Sequence, residues 1–353
     1  MSFCFNFDVP AQTTNPEVED ENELQKGKKD TAVKSMADDT KPAERVKEAI
    51  EHLQLSDPQF ILRDAVTETV TIGTLPPLHF LNETVFEKTA SEREDREKIL
   101  SRTAEQRSDL ISGVYEGGLK VWECTYDLLE LIEKDGETFG GKAVLDLGCG
   151  AGLLGILALR RGATQVHFQD YNSTVIEQLT VPNVMLNCQE EDEVGSEDDK
   201  EGRVKEEDGC EKNVEDKREV NDGNPPPKKR AADLSKPPLL AKCRFFSGDW
   251  CTFLALVKKE DPIPKYDIIF TSETIYNAAY YPALHETLCK LLASDGLVYL
   301  ATKSHYFGVG GGLHLFQTFV EQRGIFSLDH LWDGEEGLRR HVVVLRFKRA
   351  KGI

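Results

Sequence analysis

No stretch of this chain approaches eighteen consecutive apolar residues, so it offers no membrane-spanning helix. Its eight cysteines (4, 124, 149, 188, 210, 243, 251 and 289) include no Cys-x-x-Cys pair. That spacing fits neither a zinc site nor a disulfide framework, and it predicts reduced, structural thiols and no metal. The opening Met-Ser-Phe-Cys-Phe-Asn-Phe lacks the basic start and apolar core of a secretory leader, so an intracellular protein is expected. Positive charge is scarce: 43 Lys and Arg stand against 62 Asp and Glu, a net charge of −19. That balance argues against direct contact with nucleic acid or an anionic membrane and favours a basic partner. Apolar residues make up only 39% and charged residues 30%, so part of the 353-residue chain is expected to stay unpacked. The length suits one large domain with appendages, or two small ones.

What is present is organised around residues 143–155, Ala-Val-Leu-Asp-Leu-Gly-Cys-Gly-Ala-Gly-Leu-Leu-Gly. A short apolar run carrying Asp146 turns through alternating glycines into an apolar helix start, the order of a buried strand, a loop and a helix. Glycines let backbone approach a ligand closely, and free N–H groups at the helix start suit polar or anionic atoms. Gly150, Gly152 and Gly155 formally match the dinucleotide fingerprint, with Asp170 about twenty residues on. However, Asp146 and Gly148 precede the first of those glycines, where a dinucleotide-binding strand is still apolar. Asp-x-Gly-x-Gly-x-Gly instead resembles the first motif of seven-strand S-adenosylmethionine methyltransferases. In that class the acid and loop hold the methionine end, and a second acid at the next strand's end holds the ribose.

Residues 1–105 read as a poorly structured extension. Phe3, Phe5 and Phe7 alternate as in an edge strand or docking peptide, and residues 8–42 are polar and aperiodic. Val46, Ile50 and Leu53 have helical spacing and predict one amphipathic helix over residues 42–55. Residues 60–74 are β-rich, and 92–106 suggest a helix or linker. Order is expected from about Ser108, with a glycine turn leading to a helix whose core face is Leu128, Leu129, Leu131 and Ile132. Trp122 at its start is either core or a lid over a ligand, and its place beside the glycine turn favours the lid. Residues 165–172 form a second strand ending in Asp170, suited to accept two ribose hydroxyls or to cap the next helix; His167 within it reads as a core histidine.

Residues 190–222 hold sixteen acids against six bases and no aromatic, which predicts a disordered insertion, taken to extend over 190–238. Pro-Pro-Pro-Lys-Lys-Arg at 225–230 reads equally as a nuclear import signal or a solvated linker. Further strands are expected over 242–248, 266–272 and 297–303, helices over 280–293 and 313–322, and a final β pair over 325–332 and 341–347. The alternation predicts a three-layer α/β sandwich, with acids and aromatics gathered at four strand ends, where such sheets bind ligands.

Six segments together carry a closer resemblance: residues 112–125 (Ser-Gly-Val-Tyr-Glu-Gly-Gly-Leu-Lys-Val-Trp-Glu-Cys-Thr), 144–155, 167–172 (His-Phe-Gln-Asp-Tyr-Asn), 247–250 (Ser-Gly-Asp-Trp), 271–277 (Thr-Ser-Glu-Thr-Ile-Tyr-Asn) and 305–312 (His-Tyr-Phe-Gly-Val-Gly-Gly-Gly). They are similar to the eukaryotic protein-histidine N-methyltransferases. The resemblance covers residues 106–350 apart from the insertion. It implies a Rossmann-like αβα sandwich with a seven-stranded, mostly parallel sheet, and methylation of a histidine in a large-subunit ribosomal protein. It further implies S-adenosylmethionine contacts at Val121, Trp122, Glu123, Cys124, Thr125, Gly148, Gln169, Asp170, Tyr171, Gly248, Asp249, Trp250 and Ser272, with Asp146 as the motif acid.

The residues themselves suggest compatible roles. The loop at 148–152, Gly150 included, leaves room for the methionine part. Asp249 and Trp250 would border adenine. Glu273 is expected to accept from the target imidazole's N–H, and Tyr276 or His305 to frame its ring. A monomer of the cytoplasm and nucleus, including the nucleolus, is expected. A lysine methyltransferase of the same fold, a non-catalytic assembly factor for a basic ribosomal protein, and an NAD enzyme are the competing readings.

Overall fold

The computed structural model describes residues 46–53, 66–75, 77–82, 95–106, 108–194, 239–334 and 339–349. Ten strands and seven longer helices follow in chain order. The strands β1 (Ile50–Glu51), β2 (Thr67–Val70) and β3 (Leu78–Leu81) precede helices α1 (Ile99–Gln106) and α2 (Glu123–Lys134). Strand β4 (Ala143–Leu147), helix α3 (Leu153–Arg160) and strand β5 (Gln165–Asp170) form the central unit. A helical turn and a π segment, Ile176–Thr180, then lead into α4 (Val181–Val194). The chain continues through β6 (Cys243–Ser247), α5 (Trp250–Val257), β7 (Tyr266–Ser272), α6 (Tyr281–Leu291), β8 (Leu292–Lys303), α7 (Leu313–Arg323), β9 (Phe326–Asp333) and β10 (Arg340–Phe347).

The main sheet runs β1-β6-β5-β4-β7-β8-β10-β9. Strands β4 to β8 within it are parallel, whereas β10 is antiparallel to both β8 and β9. β4 is continuously apolar except for Asp146, as a strand covered on both faces must be. Its two faces contribute to different cores. Val144 packs with α2, α3 and the π segment, and Leu145 and Leu147 pack with α5 and α6. The three layers, the parallel centre and the antiparallel end match the expected sandwich.

Four expectations are corrected. The sheet has eight strands, because β1 adds antiparallel to the edge strand β6. Residues 46–53 are therefore not helical. Val46, Ile50 and Leu53 have helical spacing but are 59%, 50% and 73% exposed, so no apolar face is buried, and edge pairing decides the conformation. The domain also begins well before residue 106. β2 and β3 pair as a separate hairpin, and Leu78, Leu81, Ile99 and Leu100 are buried in the same core as α2 and α3. Finally, the strand expected over 297–303 begins at Leu292, and Asp295-Gly296 lies inside it, where the register with β7 shifts. A Cβ on Gly296 would stand 2.9 Å from the Tyr266 carbonyl oxygen, so the strands pass too closely for a side chain.

The helical face of α2 is as expected: Leu128, Leu129 and Ile132 are buried. His167 is a core histidine whose Nδ1 lies 2.7 Å from the Tyr266 hydroxyl, and burial lowers its pKa to about 3. Six cysteines lie among the described residues and all are free. α4 extends to Val194, five residues into the expected insertion. The remainder of the insertion, Phe3, Phe5, Phe7 and residues 8–42 lie outside the described residues.

Candidate active site

The carboxyl ends of β4, β5, β6 and β7 open onto one cavity of about 430 Å³, closed on its far side by the loop before α2. Parallel strands end together at this edge, so residues far apart in sequence converge there.

At the end of β4 the chain enters the glycine loop. Gly148 has φ of +72°, Gly150 +49° and Gly152 +77°, a left-handed run that lets the backbone fold over the sheet edge. A Cβ on Gly150 would stand 3.0 Å from the Gly118 carbonyl oxygen, so this loop and the loop before α2 approach backbone to backbone. Gly148, Gly150 and Leu153 line the cavity. Asp146 does not. Its Oδ2 accepts from the Gly155 N–H at 2.9 Å and it is 2% exposed, so it fastens the start of α3 to β4 beneath the loop. Burial first, and then the nearby Asp170 charge, push its pKa up to about 8.

Asp170 ends β5 and lines the cavity. Its Oδ2 accepts from Gly150 N at 3.0 Å and its Oδ1 from Asn172 N at 3.1 Å. Burial pushes its pKa up to about 6, opposed by those two N–H groups and by the Lys47 ammonium. Gln169 is fully buried and reaches the cavity only through its neighbours. Its Nε2 donates to the carbonyls of Asp170 and Gly248, and its Oε1 accepts from Trp250 Nε1 at 3.0 Å. Asp249 caps α5 by accepting from Cys251 N at 2.7 Å, and with Gly248, Trp250 and Tyr171 it lines the cavity.

From the α2 side, Val121, Trp122 and Thr125 line the cavity, and Glu123 and Cys124 do not. Trp122 is pinned by its indole N–H, which donates to the Gly117 carbonyl at 3.0 Å. Thr125 Oγ1 donates to Ser272 Oγ at 3.1 Å, joining α2 to the end of β7. Glu273 lines the cavity with φ of +58°, a conformation rare for a residue with a Cβ and costing on the order of 1 kcal/mol. Its carboxylate accepts from the Tyr306 hydroxyl at 2.5 Å and pairs with Lys303 Nζ at 3.5 Å. Lys303 also pairs with Glu123 at 3.0 Å, so Glu123 acts one residue behind the cavity wall.

Tyr276 lines the cavity as expected, but His305 does not. His305 is exposed and meets the Phe307 ring, whereas the next residue, Tyr306, turns inward to Glu273. Sequence reasoning also missed Glu116 and Tyr280. The Glu116 carboxylate accepts from Gly113 N at 2.7 Å, from the Tyr280 hydroxyl at 3.1 Å and from the Tyr276 hydroxyl. Burial raises the Glu116 pKa despite these donors. The partners lie about 160 residues apart, and only the glutamate's place in the glycine turn hinted at them.

Four carboxylates (Glu116, Asp170, Asp249 and Glu273) thus face a glycine-lined cavity in which Lys120 is the one basic lining residue among those described. Such a lining suits a ligand with cationic and hydroxyl groups and opposes a pyrophosphate, which disfavours the dinucleotide reading.

A family model described as a methyltransferase domain matches residues 123–331. The histidine protein methyltransferase 1 homolog of Bos taurus is 46% identical over 305 residues, covering 86% of this chain and 74% of that protein. The mouse homolog is 44% identical over 303 residues, covering 86% and 75%. The Dictyostelium discoideum homolog is 34% identical over 244 residues, covering 69% and 60%. On these matches, the chain belongs to the histidine protein methyltransferase 1 family, and its fold is that of a methyltransferase domain.

Proposed function

We propose that this protein transfers a methyl group from S-adenosylmethionine to an imidazole nitrogen of a histidine in a basic protein, and that this substrate is a large-subunit ribosomal protein. The observation that carries the reading is the convergence of four carboxylates and a left-handed glycine loop on one cavity. S-adenosylmethionine supplies an electrophilic methyl on a sulfonium, and its cationic and hydroxyl groups suit that lining. Asp170 accepts the ribose hydroxyls, while Asp249, Trp250 and Tyr171 border the adenine. Gly148 and Gly150 leave room for the methionine part beside Trp122, Thr125 and Ser272. Asp146, Gln169, Glu123 and Cys124 support this set from behind.

A histidine with a pKa near ~6.5 is mostly neutral in the cell, so the protein need only aim the correct nitrogen. Glu273 accepts from one ring N–H and leaves the other nitrogen's lone pair directed at the methyl, with Tyr276 beside the ring. Lys303 and Tyr306 hold the Glu273 carboxylate for that task. Glu273→Gln is expected to lower methyl transfer by at least about tenfold, since orientation provides most of the rate in an in-line displacement. Wild-type turnover with unchanged nitrogen selectivity in that variant would falsify the role.

The net charge of −19 supports a basic substrate, and the cytoplasm and nucleus, where ribosomal proteins are made and assembled, are the proposed locations. Two experiments test the whole reading. Calorimetry should show heat with S-adenosylmethionine and none with NAD. Radiolabelled cofactor added to an extract lacking this protein should label one band of ribosomal-protein size, on histidine. Label on lysine, or on no protein, overturns the assignment.

A further inference from the structure

The segment 46–53 lies outside the residues matched by the methyltransferase-domain model, yet it touches the cavity. Val46 lines the cavity wall together with Gly248, Asp249 and Tyr171, while remaining 59% exposed. The next residue holds the segment in place. The Lys47 carbonyl accepts from Asp249 N at 3.1 Å and from Thr252 Oγ1 at 2.6 Å, and the Lys47 ammonium lies 4.6 Å from the centre of the Tyr171 ring and pairs with Glu97. β1 then pairs with β6, the Glu51 carboxylate accepts from Nε and Nη2 on one edge of the Arg244 guanidinium at 2.7 and 3.0 Å, and His52 Nε2 lies 2.9 Å from Ser247 Oγ. Gly248 is fitted to this contact. Its φ is +124°, and a Cβ there would stand 2.5 Å from Ala49 Cα.

We infer that residues 46–49 form one wall of the cofactor site, with Val46 contacting the adenine and ribose half of S-adenosylmethionine and Lys47 holding Val46 in place from behind. This rests on reading the cavity as the cofactor site. The wall lies beside Asp249 and Tyr171, the residues assigned to adenine, and Val46 is its one residue that lines the cavity. Its ionic part is the Lys47 ammonium, paired with the Glu97 carboxylate. An apolar side chain exposed at a cavity wall gains contact when a flat ring lies against it.

The test uses the full-length chain. Val46→Asp and Lys47→Met are each expected to weaken S-adenosylmethionine binding about tenfold in calorimetry, the scale of one buried aliphatic contact, with the ligand-free melting temperature unchanged in Val46→Asp. Hydrogen exchange of the wild type gives an independent readout: amides of residues 47–51 should gain protection when S-adenosylmethionine is added. Affinities within twofold of wild type in both variants, or no change in protection while the cofactor binds, overturn the inference and leave the cavity reading intact. No binding by the wild type overturns both.

Discussion

At Asp146 the strand and the glycine loop meet through one hydrogen bond, and burial determines what kind of acid makes it. With a folded pKa of about 8 against 3.8 for the free side chain, the folded protein holds a proton that the unfolded chain lacks across that window. Stability must therefore fall as pH rises through it. Between pH 6 and 8 the wild type is expected to lose on the order of 1 kcal/mol per pH unit from this group, and Asp146→Asn should flatten that slope in thermal melts. Asp170 has the opposite practical consequence, because the ribose contact proposed for it requires the carboxylate. With a pKa of about 6 before ligand binds, protonation competes with the cofactor below that pH. S-adenosylmethionine affinity should be about tenfold weaker at pH 5 than at pH 7.5 by calorimetry, and Asp170→Asn should bind weakly with little pH dependence. Both acids were legible in the sequence because Asp146 interrupts an apolar run just before the glycine loop and Asp170 ends the next strand. Their division of labour was not, since it depends on which one the loop covers.

The hairpin of β2 and β3 shows what local pattern leaves out. Its mixed composition reads as an extension, but α4 receives it through two asparagines one turn apart. Asn187 accepts from His79 N at 3.0 Å and donates to His79 O at 2.7 Å, and Asn183 accepts from Leu81 N at 2.9 Å. Asn183 also donates to the Ala151 carbonyl at 2.9 Å, so the same side chain steadies the glycine loop. Asn183→Ala should cost roughly 1–3 kcal/mol in urea unfolding, the penalty of leaving buried backbone groups unpaired, and should weaken cofactor binding as well. Leu81→Ala should cost about 2–5 kcal/mol if the hairpin belongs to the core. The strand-loop-helix unit, the strand-end acids and the final β pair were readable because local periodicity and glycine chemistry determine them. The β1 pairing, the inward turn of Tyr306 in place of His305 and the Glu116–Tyr276–Tyr280 cluster depend on partners distant in sequence, to which periodicity is blind.

Across the molecule, the excess of acid would steer the basic substrate proposed above. Attraction over distances beyond about 10 Å is screened by salt, so kcat/KM for a basic protein should fall by about tenfold between 50 and 300 mM salt, with kcat little changed. A neutral peptide carrying the same histidine should show no such slope. The path of the chain separates this chemistry from its own interruption. α4 carries the chain back from the cavity edge, and β6 sets out again from the opposite edge at Cys243, so the described elements on either side of the insertion meet it at the end of the sheet away from the cavity. A fluorescent protein spliced between Val194 and Cys243 is accordingly expected to leave S-adenosylmethionine affinity within twofold of the uninserted chain, a tag for following the enzyme in living cells.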